Sequence, residues 1–296
     1  MYHFIVNLTA GKGKTKKAAA EIEEHMKAEG IPYALHESKY PGNAIELARN
    51  ISCENVNIVG IGGDGTFNEI LNGIDTQKAV LGFIPAGVGN DFARAAGFSK
   101  KPLEALADIL KGRIVNVDYL DVGSKENMRR CLNVAGTGLD IDVLQRFERK
   151  KNKTKFQYYT SLITSLMKFK GYDIEMTLDG GTTSHNAFIA AVANGQYFGG
   201  GMKISPNSDI YDGKLDIVLI HMAKRRKIPG MLLKFLRGKH LDLAATKTFK
   251  ADCVSIKCLQ NDFVNIDGEL LRGLEFTAKV VPGGLKMFAP SSREVL

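Results

Sequence analysis

Residues 55–73, NVNIVGIGGDGTFNEILNG, carry four glycines within six positions, Gly60, Gly62, Gly63 and Gly65, with Asp64 and Thr66 among them. Glycine reaches positive φ and lets the backbone approach a ligand closely. The first turn of a helix offers unpaired N–H groups and the positive end of the helix dipole. Together these suit a phosphate. The apolar residues Val56, Ile58, Val59 and Ile61 precede the glycines, and Phe67, Ile70, Leu71 and Ile74 follow at helical spacing. The turn therefore joins a buried strand to a helix. A bare tight turn needs only one glycine, so anion binding is the stronger reading. Two rival phosphate motifs fail. Gly60, Gly62 and Gly65 match G-x-G-x-x-G, but residues 79–90 contain no acid to hold a ribose. GKGKT at 11–15 resembles the end of a Walker A loop, but Leu8 stands where its first glycine is required.

Other groups are less specific. Asp267 and Glu269 in NIDGEL could serve proton transfer as paired carboxylates, although Asp-Gly alone is a hairpin signal. Asp209, Asp212 and Asp216 have oxygen-ligand character without the pattern of an EF-hand. The histidines at 3, 25, 36, 185, 221 and 240 show no paired spacing, and no zinc site is expected. Cys53, Cys131, Cys253 and Cys258 lack C-x-x-C spacing and read as free thiols of a reducing compartment.

The elements that position these residues fall into two groups. Over residues 1–125, strand and helix signals alternate, which predicts a doubly wound α/β nucleotide-binding domain with a parallel sheet. NLTAGKGK, GGDGT and PAGVGND each follow a strand, so the three loops should meet outside the carboxyl ends of the strands. Residues 126–282 are rich in short β runs separated by turns, with helical signals near 156–170 and 228–238. They predict an antiparallel β-sandwich-like domain. The chain of 296 residues, 44% hydrophobic, is long enough for two domains. It has no apolar run of the ~20 residues a bilayer span needs, and its N-terminus has no charged region ahead of a strand-like start. The net charge of +8 is uneven: 1–125 carry 14 Lys+Arg against 15 Asp+Glu, and the surplus belongs to the rest. A basic surface suits nucleic acid, anionic lipid or solubility.

GGDGTFNE at 62–69, PAGVGNDFAR at 85–94, PNSDIYDGKLD at 206–216 and NIDGE at 265–269 together resemble the diacylglycerol kinase catalytic family, most closely its soluble bacterial lipid kinases. GGDGT alone is shared with NAD kinases and phosphofructokinase-like proteins; the ordered set is more specific. The resemblance implies an α/β nucleotide domain, a β-rich lipid-substrate domain and a tail, 283–296, that returns to the first. It implies that Asn7, Gly11, Lys12 and Ser38 face the nucleotide, and that Gly62, Gly63, Asp64, Gly65 and Thr66 cradle its phosphates beside Asn68 and Glu69. Glu269 and Asp267 would be the catalytic acids, Glu269 the first choice of base. Asp91, Asp118 and Asp212 would belong to a structural magnesium and water network. Leu8 and Val88 depart from the family pattern, which has proline after Asn7 and Thr or Ser after PAG; Val88 would still lie within reach of the nucleotide.

The activity so implied is ATP- and Mg²⁺-dependent phosphorylation of a membrane lipid hydroxyl, first of diacylglycerol, with sphingosine or phosphatidylglycerol as other lipid alcohols. An NAD kinase or a non-catalytic nucleotide or lipid sensor of the same fold are the alternatives. HMAKRRKIPGMLLKFLRGKH at 221–240 holds seven Lys+Arg and no acid, with Met231, Leu232, Phe235 and Leu236 at helical spacing. Residues 146–169 repeat the basic-apolar pattern, with Tyr158, Leu162, Leu166 and Phe169 either lining a lipid cleft or packing. Both segments suit either an anionic membrane surface or a core-facing helix with a solvated basic side; two of them in one domain of a protein acting on membrane lipid favour the first. The expectation is a cytoplasmic protein at the inner face of the membrane, with no nucleic-acid partner and room for a homodimer.

Overall fold

The computed structural model describes residues 1–52, 56–124, 127–150 and 154–292, without the side chains of Glu148, Lys155, Tyr158 and Tyr159. Cys53, the Tyr158 side chain and the end of the expected tail, 293–296, thus lie outside the described residues. Strand and helix alternate through the first third as β1 (Tyr2–Val6), α1 (Lys14–Ala28), β2 (Tyr33–Glu37), α2 (Asn43–Ile51), β3 (Val56–Gly62), α3 (Asp64–Gly73), β4 (Ala79–Pro85), α4 (Asp91–Ala96) and α5 (Pro102–Leu110). The four strands pair in parallel, in the order β2-β1-β3-β4. Helices cover them. Ala18, Ile22 and Met26 of α1 and Phe67, Ile70 and Leu71 of α3 are buried, so every residue of β4 is buried too.

The rest is mainly antiparallel: β5 (Ile114–Ser124), β6 (Asn127–Cys131), β7 (Val134–Gly138), α6 (Leu139–Glu148), α7 (Lys155–Lys168), β8 (Tyr172–Leu178), β9 (Gly181–Ala193), β10 (Tyr197–Phe198), β11 (Met202–Lys203), β12 (Leu215–His221), α8 (Ile228–Leu236), β13 (Thr246–Ala251), β14 (Cys253–Cys258), β15 (Phe263–Ile266), β16 (Glu269–Arg272) and β17 (Glu275–Phe288). β9 is central, flanked by β7, β8 and β12. Helices α6, α7 and α8 pack as a layer on one face, through Leu139, Val143, Leu166 and Met231.

Two long strands join the parts. β5 and β17 pair antiparallel along most of their length, with a register shift between Val281 and Leu285. Phe276, Ala278 and Val280 of β17 belong to the core of the second part, whereas Leu285, Met287 and Phe288 belong to that of the first. Met287 pairs in parallel with Leu81 of β4.

Two helical signals of the second part correspond to α7 and α8. α6 was not anticipated: Leu139, Ile141 and Val143 alternate with Asp140 and Asp142, a period of two that reads as a strand. Neighbouring strands also bring histidines together without sequence spacing. His3 and His36 ring nitrogens lie 3.2 Å apart, and those of His185 and His221 lie 3.1 Å apart.

Candidate active site

Three loops leave the carboxyl ends of β1, β3 and β4 and meet. Ala86 and Gly87 both donate backbone N–H groups to the carbonyl of Gly62, at 2.8 and 2.9 Å. A Cβ on Gly87 would come within 2.4 Å of the Gly63 Cα, and one on Gly11 within 2.2 Å of the Ala86 carbonyl oxygen. Glycine is required at these contacts because the loops touch backbone to backbone. Gly11, Lys12 and Gly13 all have positive φ. Asn7 shapes that loop by accepting from the N–H groups of Thr9 and Ala10, each at 3.2 Å. Lys12 is exposed, and Ser38 is buried with its N–H on the Val6 carbonyl at 2.8 Å.

Asp64 opens α3 and accepts the N–H of Phe92 at 3.1 Å. Thr66 is buried and packs over Gly62, while Gly65 is exposed. Asp91 opens α4; its Oδ2 accepts the N–H of Gly200 at 2.8 Å, and its Oδ1 is buried without a partner. Burial, and then the Asp91 charge, push the Asp64 carboxyl up to about 7. Asp91 is also raised, chiefly by burial, with Arg94 acting against the shift.

Asp267 and Gly268 form a two-residue hairpin turn between β15 and β16, flanked by the paired Ile266 and Glu269. Asp267 and Gly268 both have positive φ, 50° and 95°, as such a turn requires. Asp267 is tightly held. Its Oδ2 accepts from Leu132 N at 2.7 Å and Asn68 Nδ2 at 2.9 Å. Its Oδ1 accepts from Asn133 N at 2.9 Å, Val134 N at 3.0 Å and Cys131 Sγ at 3.3 Å. The Glu269 carboxyl has no hydrogen bond among the described residues. Glu269 is exposed at the residue level, yet its carboxyl is raised above the ordinary glutamate value, first by partial desolvation among its neighbours, then by the charge of Glu69, with Arg129 opposing.

The structure thus brings Asp64, Asp91 and Asp267 to one crevice, together with Asn133, Tyr197, Phe198 and Gly200, and sets Glu269 beside it. Three expected residues are engaged differently. Asn68 ties α3 to Asp267 and to the Arg130 carbonyl. Glu69 caps α2, accepting Gly42 N at 3.0 Å and Ala44 N at 3.1 Å. Val88 is 58% exposed and lines a neighbouring hollow with Lys14, Lys17, Arg94 and Lys100, so it is not a core residue.

Of the residues implied for a structural network, Asp118 and Asp212 are neighbours, the Asp212 charge acting on Asp118, while Asp91 lines the crevice. Asp118 on β5 accepts Gly283 N at 2.6 Å and Gly213 N at 2.7 Å. Asp212 accepts Lys214 N at 3.0 Å and the ammonium of Lys250. Lys250 therefore stands where a cation would neutralise Asp212, and Asp91 belongs to the crevice instead. Among the described residues no three His, Cys, Asp or Glu side chains form a metal-holding group.

Sequence reading missed two groups. Arg94, in the GNDFAR motif, lies 5.3 Å over the Tyr197 ring and donates to the Gly89 carbonyl at 3.3 Å. Asp140 lines both the crevice and a second, apolar cavity walled by Leu162, Leu166, Phe198, Met231, Leu232 and Phe235 of the helical layer and its surroundings. Arg94 was legible as a cation beside Asp91; Asp140 was hidden in the strand-like pattern of α6. Phe169, expected in the cleft or the packing, is buried against Tyr172 and Phe188.

Residues 1–122 match the diacylglycerol kinase catalytic domain, and residues 133–289 match the YegS C-terminal NAD kinase beta sandwich-like domain. A diacylglycerol kinase of Bacillus subtilis is 27% identical over 272 residues, covering 90% of this chain and 88% of that one. A diacylglycerol kinase of Mycobacterium tuberculosis is 27% identical over 296 residues, covering 97% and 94%. A crystal structure of a diacylglycerol kinase from Bacillus anthracis superposes with a TM-score of 0.75 at 23% identity, covering 98% of this chain and 97% of that one. That likeness carries the fold.

Proposed function

The chain belongs to the diacylglycerol kinase catalytic family, in the branch with a YegS-type second domain, and is a lipid kinase; from that premise we propose that it transfers the terminal phosphoryl group of ATP, with Mg²⁺, to a hydroxyl of diacylglycerol. The observation that carries this reading is that the acidic crevice and the apolar cavity share Asp140 and Phe198 as walls. A phosphoryl site and a chain site are thereby neighbours, as a lipid alcohol requires. NAD has no chain to place there.

Phosphoryl transfer depends on positioning and on neutralising charge. The loops after β1, β3 and β4 supply close-packed glycine backbone for the triphosphate. Asp64 and Asp91 fit a divalent cation: two crowded carboxylates, one oxygen buried and unpartnered, both raised by burial. Magnesium is commonly held by one or two carboxylates together with substrate phosphates, and when bound it would offset charge on the phosphoryl group. Glu269 is the base. Its carboxyl has no competing hydrogen bond among the described residues, and its raised value favours accepting a proton from the lipid hydroxyl. Asp267 positions: five donors occupy its two oxygens, and it links α3 to the turn at 131–134.

The helical layer suits a membrane surface. Phe156 and Met167 of α7 are 76% and 71% exposed, and Leu233 and Leu236 of α8 project outward among exposed Lys234 and Arg237. Met231, Leu232 and Phe235 face the cavity instead. No helix among the described residues is long and apolar enough to cross a membrane.

The deciding experiment incubates the protein with labelled ATP, Mg²⁺ and mixed micelles of diacylglycerol, sphingosine or phosphatidylglycerol, with NAD as a parallel acceptor. Label in phosphatidic acid is expected. Label confined to NAD phosphate, or in no acceptor, would overturn the reading.

A further inference from the structure

Gly138, with φ of 137°, ends β7 and turns the chain into α6. The second residue of that helix, Asp140, is thereby carried into the partition between the crevice and the apolar cavity and lines both. Its Oδ2 accepts the side-chain amide of Asn265 at 2.9 Å. Its Oδ1 is buried and has no partner. Asn265 is itself fixed, because its Oδ1 accepts the N–H of Gly268 in the turn that carries Asp267. The other titratable group of the cavity lining, His240, engages the Ile204 carbonyl through Nε2 at 2.8 Å.

A buried carboxyl oxygen without a hydrogen-bond partner is costly. Here it sits where the polar part of a lipid must pass from apolar wall to acidic crevice. Resting on the lipid-kinase reading above, we infer that Asp140 is a specificity-determining residue whose free oxygen holds, by a hydrogen bond, the ester carbonyl next to the acyl chain of a glycerolipid. In a diacylglycerol the ester at the middle carbon lies one carbon from the free hydroxymethyl group. A carbonyl at the partition therefore leaves the hydroxyl on the crevice side, toward Glu269. Burial raises the Asp140 carboxyl, against the Asn265 amide and the N–H groups of Ile141 and Asp140 itself; the hydrogen bond to a carbonyl is the one its protonated form makes, with the acid O–H as donor. A carbonyl accepts that hydrogen bond; an ether oxygen is a weaker acceptor, and an alkylammonium cannot accept it at all. The cavity is narrow, about 60 Å³.

The test measures both calorimetric binding and phosphoryl transfer, using dioctanoylglycerol and its diether analogue, dioctylglycerol. Wild type is expected to bind the diester about tenfold more tightly than the diether, in line with the loss of one hydrogen bond at a buried group. Asp140→Leu should remove that preference while leaving the KM for ATP unchanged. Asp140→Asn, whose amide can still donate to a carbonyl, should retain most of it. Asp140→Asn should leave Tm nearly unchanged, since its amide oxygen still accepts from Asn265, whereas Asp140→Leu leaves that buried amide unpaired and should lower Tm modestly; a drop in Tm in Asp140→Asn with both lipids weakened equally would make Asp140 a structural residue and overturn the inference. So would a diester preference that survives in Asp140→Leu, or a wild type that binds the two lipids alike or an alkylammonium lipid more tightly. Binding with the expected pattern but without phosphoryl transfer would sink the kinase reading and leave Asp140 as the lipid anchor.

Discussion

Asp267 and Glu269 are two positions apart and have opposite surroundings. Asp267 receives three backbone N–H groups, an amide and a thiol; Glu269 receives none of these. Glu269→Gln is expected to cut kcat by ~10²–10⁴ with ATP affinity and Tm nearly unchanged, the usual loss when a general base is removed. Asp267→Asn should lower Tm as well, because the new amide faces N–H donors and leaves buried groups unpaired at about 1–3 kcal/mol each. Wild-type turnover in Glu269→Gln would remove the base assignment. Asp64 makes a separate prediction. Its carboxyl is raised in the folded state to about 7 by burial and then by Asp91, so its stabilising contribution is complete below the unfolded aspartate value and is lost as pH rises through 7. Asp64→Asn should therefore gain in Tm relative to wild type between pH 5 and pH 8; a pH-independent difference would contradict the shift. The phosphate turn around Asp64 was legible because its residues are contiguous. The clamp on Asp267 was not, because its backbone donors come from residues 132–134, more than 130 positions away.

At the scale of elements, legibility followed period and punctuation. Glycine after a β-branched run marked the β3–α3 turn, and Asp-Gly marked the β15–β16 hairpin. α6 was obscured because its apolar residues alternate like those of a strand, and what overrides that pattern is tertiary: Leu139 and Val143 pack with Leu166 in the helical layer. In α8 the sequence offered two readings, a membrane face or a core face with a solvated basic side; the helix has a side turned to the cavity and an exposed side that mixes apolar and basic residues. Met231, Leu232 and Phe235 line the cavity, while Leu233, Lys234, Leu236 and Arg237 are exposed. Lys224, Arg225, Arg226 and Lys227 immediately before it are exposed as well. Each cation near an anionic surface is worth about 1 kcal/mol before screening. Neutralising these four should weaken co-sedimentation with phosphatidylglycerol vesicles by roughly two to three orders of magnitude at low salt, and by less as salt rises. ATP affinity should not change. Unaltered sedimentation would leave the run as a solvated face.

Across the whole molecule, the site depends on two parts being held at a fixed separation, since Asp64 and Asp91 come from one and Asp267 and Glu269 from the other. Three devices hold them. Arg130 of β6 donates to the carbonyls of Leu71 and Ile74 at the end of α3, both at 2.8 Å. Asn68 bonds Asp267. Most of all, β5 and β17 run through both cores as one antiparallel ribbon. The alternating elements of the first part could be read locally, but this ribbon joins residues 114–123 to 277–288 and has no local signal. It makes a prediction about cooperativity. Leu285 is fully buried in the first core, on the strand whose other half fills the second. Leu285→Ala should cost about 2–5 kcal/mol, and the loss should lower a single calorimetric transition for the entire chain, because β17 cannot leave one core while staying straight in the other. The Asp64 and Glu269 carboxylates would then lose their alignment together, and activity should fall in parallel with the folded fraction on heating. Two resolved transitions, with only the first shifted by Leu285→Ala, would show that the parts unfold independently and that the ribbon is merely a linker.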